Sequence, residues 1–310
     1  MADIVISEFM DGAAVARLKS RFDTLYDDTL VDRPDELARL VAPARALIVR
    51  NRTQVRGDLL AAAEKLECVG RLGVGLDNID VEACRARGID VFPATGANDI
   101  AVAEYVITAV LVLLRGAWMS SAEVAAGSWP RQKLIGRETA GKVMGLVGLG
   151  RIAREVAWRA HMMGMQIVAY DPNLMADDPA WRIARNVSLD GVLEIADVVS
   201  LHVPLVDSTR GMMNSARLGQ MKRGAILINT ARGGIIDEAA LAESLRLGHL
   251  GGAAVDVFSQ EPLGGQDGAR FDGVPNLLLT PHIAGVTEES NVRVSDLIAD
   301  LVIDRLETKR

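Results

Sequence analysis

The chain has 310 residues, 49% hydrophobic, 24% charged and 4% aromatic. Such fractions exclude a disordered, collagen-like or disulfide-framed protein, and the length implies two domains. Acidic residues outnumber basic ones, 41 to 34. The net charge of −7 argues against nucleic acid or membrane as a partner, yet allows a small anion, because a few arginines in one cleft outweigh a diffuse negative field.

From the N-terminus, the opening MADIVISEF carries no basic region and does not read as a signal peptide. The longest apolar run, residues 106–114, is far short of the roughly 20 residues a membrane span needs. A cytoplasmic protein is expected. Cys68 and Cys84 are too few for a disulfide framework or a zinc site and read as reduced packing residues. No cluster with metal-ligand spacing is visible, so no metal is expected.

Short β-branched runs alternate with helical patterns at residues 4–6, 46–49, 68–71, 143–147, 167–170, 198–201, 225–229, 253–257 and 277–280. Their continuous apolar character predicts strands covered on both faces, hence parallel sheets in an α/β architecture. Asn98 or Asp99 opens a long apolar helix running to about Arg115. A last helix starts after Thr287, with Glu288 and Glu289 at its positive dipole end. The pattern predicts two Rossmann-like domains. Residues 98–285 form a cofactor domain inserted into a discontinuous substrate domain, made of residues 1–97 and 286–310.

Residues 142–153 read KVMGLVGLGRIA, a strand followed by Gly148-x-Gly150-x-x-Ala153 and a helical pattern. Gly148 allows the tight turn, Gly150 lets a pyrophosphate approach the helix N-terminus, and Ala153 permits close helix–strand packing. A second strand ends at Asp171, 21 residues beyond Gly150, the spacing of a carboxylate that holds ribose hydroxyls. That carboxylate repels a 2′-phosphate, so NAD is expected over NADP.

Three further segments fall at the carboxyl ends of predicted strands, where open α/β sheets bind ligands. They are INTARGGIID with Arg232, AAVDVFSQEP with Asp256 and Glu261, and LLLTPHIAG with His282. Arginine grips a carboxylate in bidentate fashion and polarises an adjacent carbonyl. Histidine exchanges a proton with a hydroxyl oxygen, and a carboxylate bonded to a histidine orients its ring. His161 and His249 read as structural, and His202 as shaping a cofactor cleft.

These motifs, with ALIVRNRTQV at 46–55, VGRLGVGLDNID at 69–80, YDP and LHVPL in the same order, resemble the D-isomer-specific 2-hydroxyacid dehydrogenase family nearly end to end, most closely its D-3-phosphoglycerate dehydrogenase branch. The resemblance implies an NAD-dependent enzyme interconverting a 2-hydroxy acid and its 2-oxo acid. It implies Arg232 as carboxylate anchor, His282 as acid/base and Glu261 as its partner. For the cofactor it implies Gly148, Gly150, Arg151, Ile152, Asp171, His202, Pro204, Thr209, Thr230, Ala231, Arg232, Asp256, His282 and Gly285. For the substrate it implies Arg50, Arg71, Val74, Gly75, Arg232 and His282.

An anion-bearing substrate such as 3-phosphoglycerate is the leading expectation, with 3-sulfolactate, or glyoxylate and hydroxypyruvate reduction, as alternatives. Arg52, on the same strand face as Arg50, and Arg131 are further candidates for the distal anion. Only 28 residues follow His282, so serine-feedback regulatory domains are not expected. Glu261 stands where formate dehydrogenases carry glutamine, and the 74–76 turn lacks the lysine of phosphite dehydrogenases. NAD-sensing corepressors resembling this family are a further alternative of a different class. The apolar helix and the arm after it, with Trp118 and Trp129, predict a homodimer. The crossings near Ala97 and Gly285 are expected hinges.

Overall fold

The computed structural model describes residues 2–308. Its strands are β1 (Ile4–Ile6), β2 (Thr24–Tyr26), β3 (Ala46–Val49), β4 (Cys68–Arg71), β5 (Asp90–Pro93), β6 (Val143–Val147), β7 (Gln166–Tyr170), β8 (Arg185–Asn186), β9 (Val198–Leu201), β10 (Ile226–Asn229), β11 (Gly252–Val255) and β12 (Leu277–Leu279). The fold is two parallel-sheet α/β units, Met1–Asn98 with Val286–Arg310 and Asp99–Gly285.

The first unit holds a five-stranded sheet ordered β2-β1-β3-β4-β5, every pair parallel. Alternate residues of β3 enter opposite cores. Ala46 and Ile48 pack with the last helix, Glu288–Glu307, while Leu47 and Val49 pack with Leu37, Val41 and Leu60 on the other face. Both faces are therefore apolar, which is why the run shows no alternation. Thr287 and Ser290 close a capping box at the start of the last helix. Its middle turn crosses β4 so closely that a Cβ on Gly70 would lie 2.5 Å from Ile298 Cγ2.

The second unit holds a seven-stranded sheet ordered β12-β11-β10-β9-β6-β7-β8, also parallel throughout. The helices Asp99–Arg115 and Arg151–Met162 share one core with Met144, Leu146, Ile226 and Ile228. Leu201, Leu227 and Val255 face the other core, with Leu193, Leu218 and Leu241. The strand order reverses between β6 and β9, and a doubly wound sheet binds ligands at the carboxyl edge of such a reversal. Among the described residues no single helix is long and apolar enough to cross a membrane. No group of metal-ligating side chains occurs among them either.

Three strands escape the sequence pattern: β2, β5 and β8. All three are sheet edges, with half-buried or exposed residues. Leu25 and Tyr26 of β2, and Val91 and Phe92 of β5, only skirt the two cores as partly buried side chains, and β8 is exposed, so no continuous apolar run marks them.

Candidate active site

Gly148 follows β6 at φ 90°, and a Cβ there would lie 2.5 Å from the carbonyl oxygen of His202, the residue after β9. The turn thus sits at the strand-order reversal and admits only glycine. Gly150 is the N-cap of the Arg151–Met162 helix, and nothing lies within 4 Å of its absent Cβ. The first N–H groups of that helix, those of Arg151 and Ile152, have no partner within the helix, so open space meets an anion-seeking helix end. The Arg151 side chain turns away: its Nε donates to Asp99 Oδ2 at 2.8 Å. Asp171, just past β7, accepts the Leu149 N–H at 2.9 Å and the Asn173 N–H at 3.0 Å.

Across the reversal, His202 Nε2 shares a hydrogen bond of 2.9 Å with Ser200 Oγ. Burial pushes the imidazole down to about 4, so it is neutral at physiological pH and suited to lining a cleft. The Thr209 hydroxyl donates to the Pro204 carbonyl at 2.6 Å and accepts the Val206 N–H at 2.9 Å, closing its own loop. Thr230 Oγ1 is buried and has no hydrogen-bond partner among the described residues. An orphaned hydroxyl past the carboxyl end of β10, on the same sheet edge as an open glycine turn after β6 and a ribose-type carboxylate after β7, fits a bound dinucleotide.

The catalytic candidates lie at the carboxyl ends of β10, β11 and β12. Asn229 shapes the first loop: its Oδ1 accepts the Ala231 N–H at 3.0 Å, and its Nδ2 donates to the Arg232 carbonyl at 2.9 Å. Arg232 Nη1 in turn donates to the Ala231 carbonyl at 2.5 Å. Glu261 Oε2 lies 2.6 Å from His282 Nδ1, and Glu261 Oε1 accepts the Phe258 N–H at 2.9 Å. Burial raises the affinity of Glu261 for a proton, but the hydrogen bonds from His282 and Phe258, with the His282 and Arg232 charges, reverse this. The carboxyl is held below its ordinary value. Glu261 therefore stays ionised at neutral pH, its charge within reach of both partners.

His282 itself sits at φ 55°, a left-handed conformation that costs about 1–3 kcal/mol and persists where the surroundings over-determine it. Asp256 supplies that constraint. Its main-chain oxygen accepts the His282 N–H at 2.8 Å. Its carboxylate, 1% exposed, accepts the N–H groups of Ile283 and Ala284 and the Thr280 hydroxyl, at 2.9, 2.9 and 2.6 Å. Because Thr280 has one proton, given to Asp256, Tyr105 donates to Thr280 across their 2.5 Å contact. Tyr105, Thr280 and Asn229 escaped the sequence reading. Asn229 and Thr280 had a signal, each lying at the end of a predicted strand within the motif that carries Arg232 or His282.

In the first unit, Arg50 follows β3 and Arg71 ends β4, and the two strands are paired with Val49 opposite Arg71. Buried Glu8 accepts the N–H groups of Arg50, Arg52 and Thr53 at 2.9, 3.1 and 3.0 Å. The Arg50 guanidinium stacks 5.7 Å from the centre of the Phe9 ring. Its Nη2 donates to Asn291 Oδ1 at 2.7 Å. Arg71 folds back over the next turn: a Cβ on Gly73 would overlap its Nη1 at 1.4 Å. Val74 and Gly75 lie half-buried in that same turn. Arg52 is ion-paired with Asp32, and Arg131 is exposed.

Comparison with known proteins agrees with this geometry. The sequence profile "D-isomer specific 2-hydroxyacid dehydrogenase, NAD binding domain" matches residues 107–284. The chain is 55% identical over 303 residues to (S)-sulfolactate dehydrogenase of Chromohalobacter salexigens, covering 97% of each. It is 38% identical over 270 residues to D-3-phosphoglycerate dehydrogenase of Archaeoglobus fulgidus, covering 87% of this chain and 51% of that one. The crystal structure of D-lactate dehydrogenase from Aquifex aeolicus, complexed with NAD and lactic acid, superposes with a TM-score of 0.87 at 26% identity, covering 98% and 95%. With the profile spanning over half of the chain and a relative matched along nearly all of it, the chain belongs to the D-isomer-specific 2-hydroxyacid dehydrogenase family and is an NAD-dependent oxidoreductase.

Proposed function

We propose that the substrate is a 2-hydroxy acid with a second, anionic group on the next carbon, and that 3-sulfolactate is that acid, interconverted with 3-sulfopyruvate. Arg232 grips the substrate carboxylate and polarises the carbonyl beside it. His282 takes the hydroxyl proton in oxidation and returns it in reduction, and Glu261 orients its ring and stabilises the imidazolium that forms. Bound NAD supplies the acceptor for the hydride leaving C2, so the hydroxyl carbon becomes a carbonyl as one proton passes to His282.

Gly148 and Gly150 admit the pyrophosphate to the N–H groups of Arg151 and Ile152, Asp171 takes the ribose, and His202, Pro204, Thr209, Thr230, Ala231, Asp256 and Gly285 line the cofactor. The N–H groups of Val74 and Gly75 take the substrate carboxylate. Arg50 takes the distal anion, with Arg71 beside it.

The observation that carries the reaction class is the 2.6 Å Glu261–His282 contact with the Arg232 charge acting on the same carboxylate. Two observations favour a sulfonate. The 55% identical relative is a sulfolactate dehydrogenase. A carboxylate also lies against the Arg50 turn, Glu8, which accepts the N–H groups of Arg50, Arg52 and Thr53, while Asp32 is balanced by Arg52. That surrounding suits a monoanion better than a phosphate ester, which carries about −1.5 to −2 charges at pH 7. The same reading makes the enzyme cytoplasmic. It also makes it a homodimer, with Trp118, Trp129 and Ile135, 67%, 77% and 75% exposed, covered by a second copy.

NADH oxidation with 3-sulfopyruvate, 3-phosphohydroxypyruvate, oxaloacetate, hydroxypyruvate and glyoxylate tests this. The highest kcat/KM is expected with 3-sulfopyruvate, and a lead for the phosphate ester would transfer the assignment to 3-phosphoglycerate. H282A should lower kcat by about 10²–10⁴-fold. Wild-type turnover in that variant would refute its role.

A further inference from the structure

We infer that Glu238 is a positioning residue: its buried carboxylate grips Ser259 and thereby holds the loop that carries Glu261 against His282. The inference rests on the reading of Glu261 and His282 as the proton-transfer pair. Glu238 is the first residue of the helix Glu238–Arg246, where a carboxylate favours the helix dipole even from the surface. Asp237 already caps that helix by accepting the N–H groups of Ala239 and Ala240. Neither duty requires burial, yet Glu238 is only 6% exposed, and burying a carboxylate is costly unless it is paired and hydrogen-bonded.

Its partners supply the reason. Oε1 accepts both the N–H of Ser259 at 2.7 Å and its hydroxyl at 2.8 Å. Oε2 accepts Arg270 Nη1 at 3.1 Å. Arg270 is itself fixed, with Nη2 and Nε donating to the side chain and carbonyl of Asp267 at 2.6 and 2.8 Å. Ser259 follows Phe258, whose N–H holds Glu261 Oε1, and the other Glu261 oxygen holds His282.

Gly233 also packs against this loop: a Cβ there would lie 1.7 Å from the Phe258 carbonyl oxygen. The short segment 232–238 therefore does two things at once. It carries Arg232, and through Gly233 and Glu238 it sets the position of Glu261. A carboxylate serving only the fold through Arg270 would need no contact with Ser259.

The test is a double-mutant cycle joined to a proton resonance. E238A should lower kcat by about 10²-fold, the cost of an ångström-scale misplacement, with KM for NADH little changed. In an E261Q background, where the partner it positions is already neutralised, E238A should cost less than about 3-fold. Equal losses in both backgrounds would mean a general structural role and overturn the inference.

The proton shared by His282 Nδ1 and Glu261 Oε2 across 2.6 Å should give a downfield resonance, to be assigned by its loss in H282A. It should shift or broaden in E238A, and an unchanged resonance would overturn the inference whatever the kinetics. S259A removes one of the two contacts and strands no charge, so it should move the resonance in the same direction if E238A fails to fold. Retained turnover in H282A would refute the proton-transfer reading alone, because the resonance reports on Glu238 independently.

Discussion

Replacing Gly233 by alanine puts the geometry of the catalytic loop to a direct trial. The added Cβ would sit 1.7 Å from the Phe258 oxygen, 2.0 Å from its carbon and 2.7 Å from the Ser259 nitrogen. All three are backbone atoms, so no rotamer change relieves the contact. Reaching even 3.0 Å, a distance below which real Cβ contacts essentially never fall, moves the 258–259 segment by more than an ångström. Glu261 is tied to that segment through the Phe258 N–H, so its 2.6 Å contact with His282 opens with it.

A misplacement of that size costs about 10²-fold in rate. Overpacking costs roughly 1–3 kcal/mol, so Tm falls by roughly 2–12 °C at this domain size. Steady-state kinetics with saturating NADH and a thermal melt read both. Wild-type kcat in G233A, with or without a lower Tm, would refute the claim that this close approach sets the catalytic carboxylate.

Gly150 offers the opposite case, because its φ of −71° suits any residue and nothing lies within 4 Å. G150A should lower the stability of the free protein by no more than about 1 kcal/mol, the N-cap difference, yet weaken NADH about tenfold or more by fluorescence titration, since the methyl group enters the pyrophosphate's space; unchanged affinity would move the cofactor elsewhere. R50A removes a charge-assisted contact of about 1.5–3 kcal/mol, so KM for 3-sulfopyruvate should rise roughly 10–100-fold while that for glyoxylate hardly moves; equal effects would dissolve the distal-anion site.

Glu67 tests the pH dependence of stability. Burial raises its proton affinity, but the bonds from Arg45 at 2.7 Å and Arg305 at 2.9 Å lower it further, leaving the folded carboxyl below the ordinary 4.5. A depressed carboxyl stabilises the fold fully above its unfolded value, and the contribution is lost as pH falls through the folded one. The Tm difference between wild type and E67Q should be constant from pH 8 to about 6 and shrink below about 4.5; a difference that grows in acid would reverse the sign.

The central strands were legible because each is buried on both faces. The runs at 46–49, 68–71, 143–147 and 198–201 match β3, β4, β6 and β9 residue for residue. Glycine spacing also read clearly, since Gly148 and Gly150 answer to local demands of a turn and a helix end. Arg52 shows the limit of strand-face arithmetic. It shares the parity of Arg50, but its guanidinium is drawn to Asp32, 20 residues away in sequence, and a tertiary ion pair leaves no periodic trace.

The sequence alone determined the α/β class, the dinucleotide turn and the three loop motifs that carry Arg232, Glu261 and His282, because each is written in spacing within a few residues. Only the tertiary structure decided how those loops hold one another. Asp256 fastens the loop of His282, Glu238 clasps that of Glu261, and Gly233 is bare because another backbone crosses it. These contacts join positions more than 20 residues apart, and each partner taken alone is an ordinary acidic or glycine residue. Their meaning lies in burial and hydrogen bonding, which exist only once β10, β11 and β12 stand side by side.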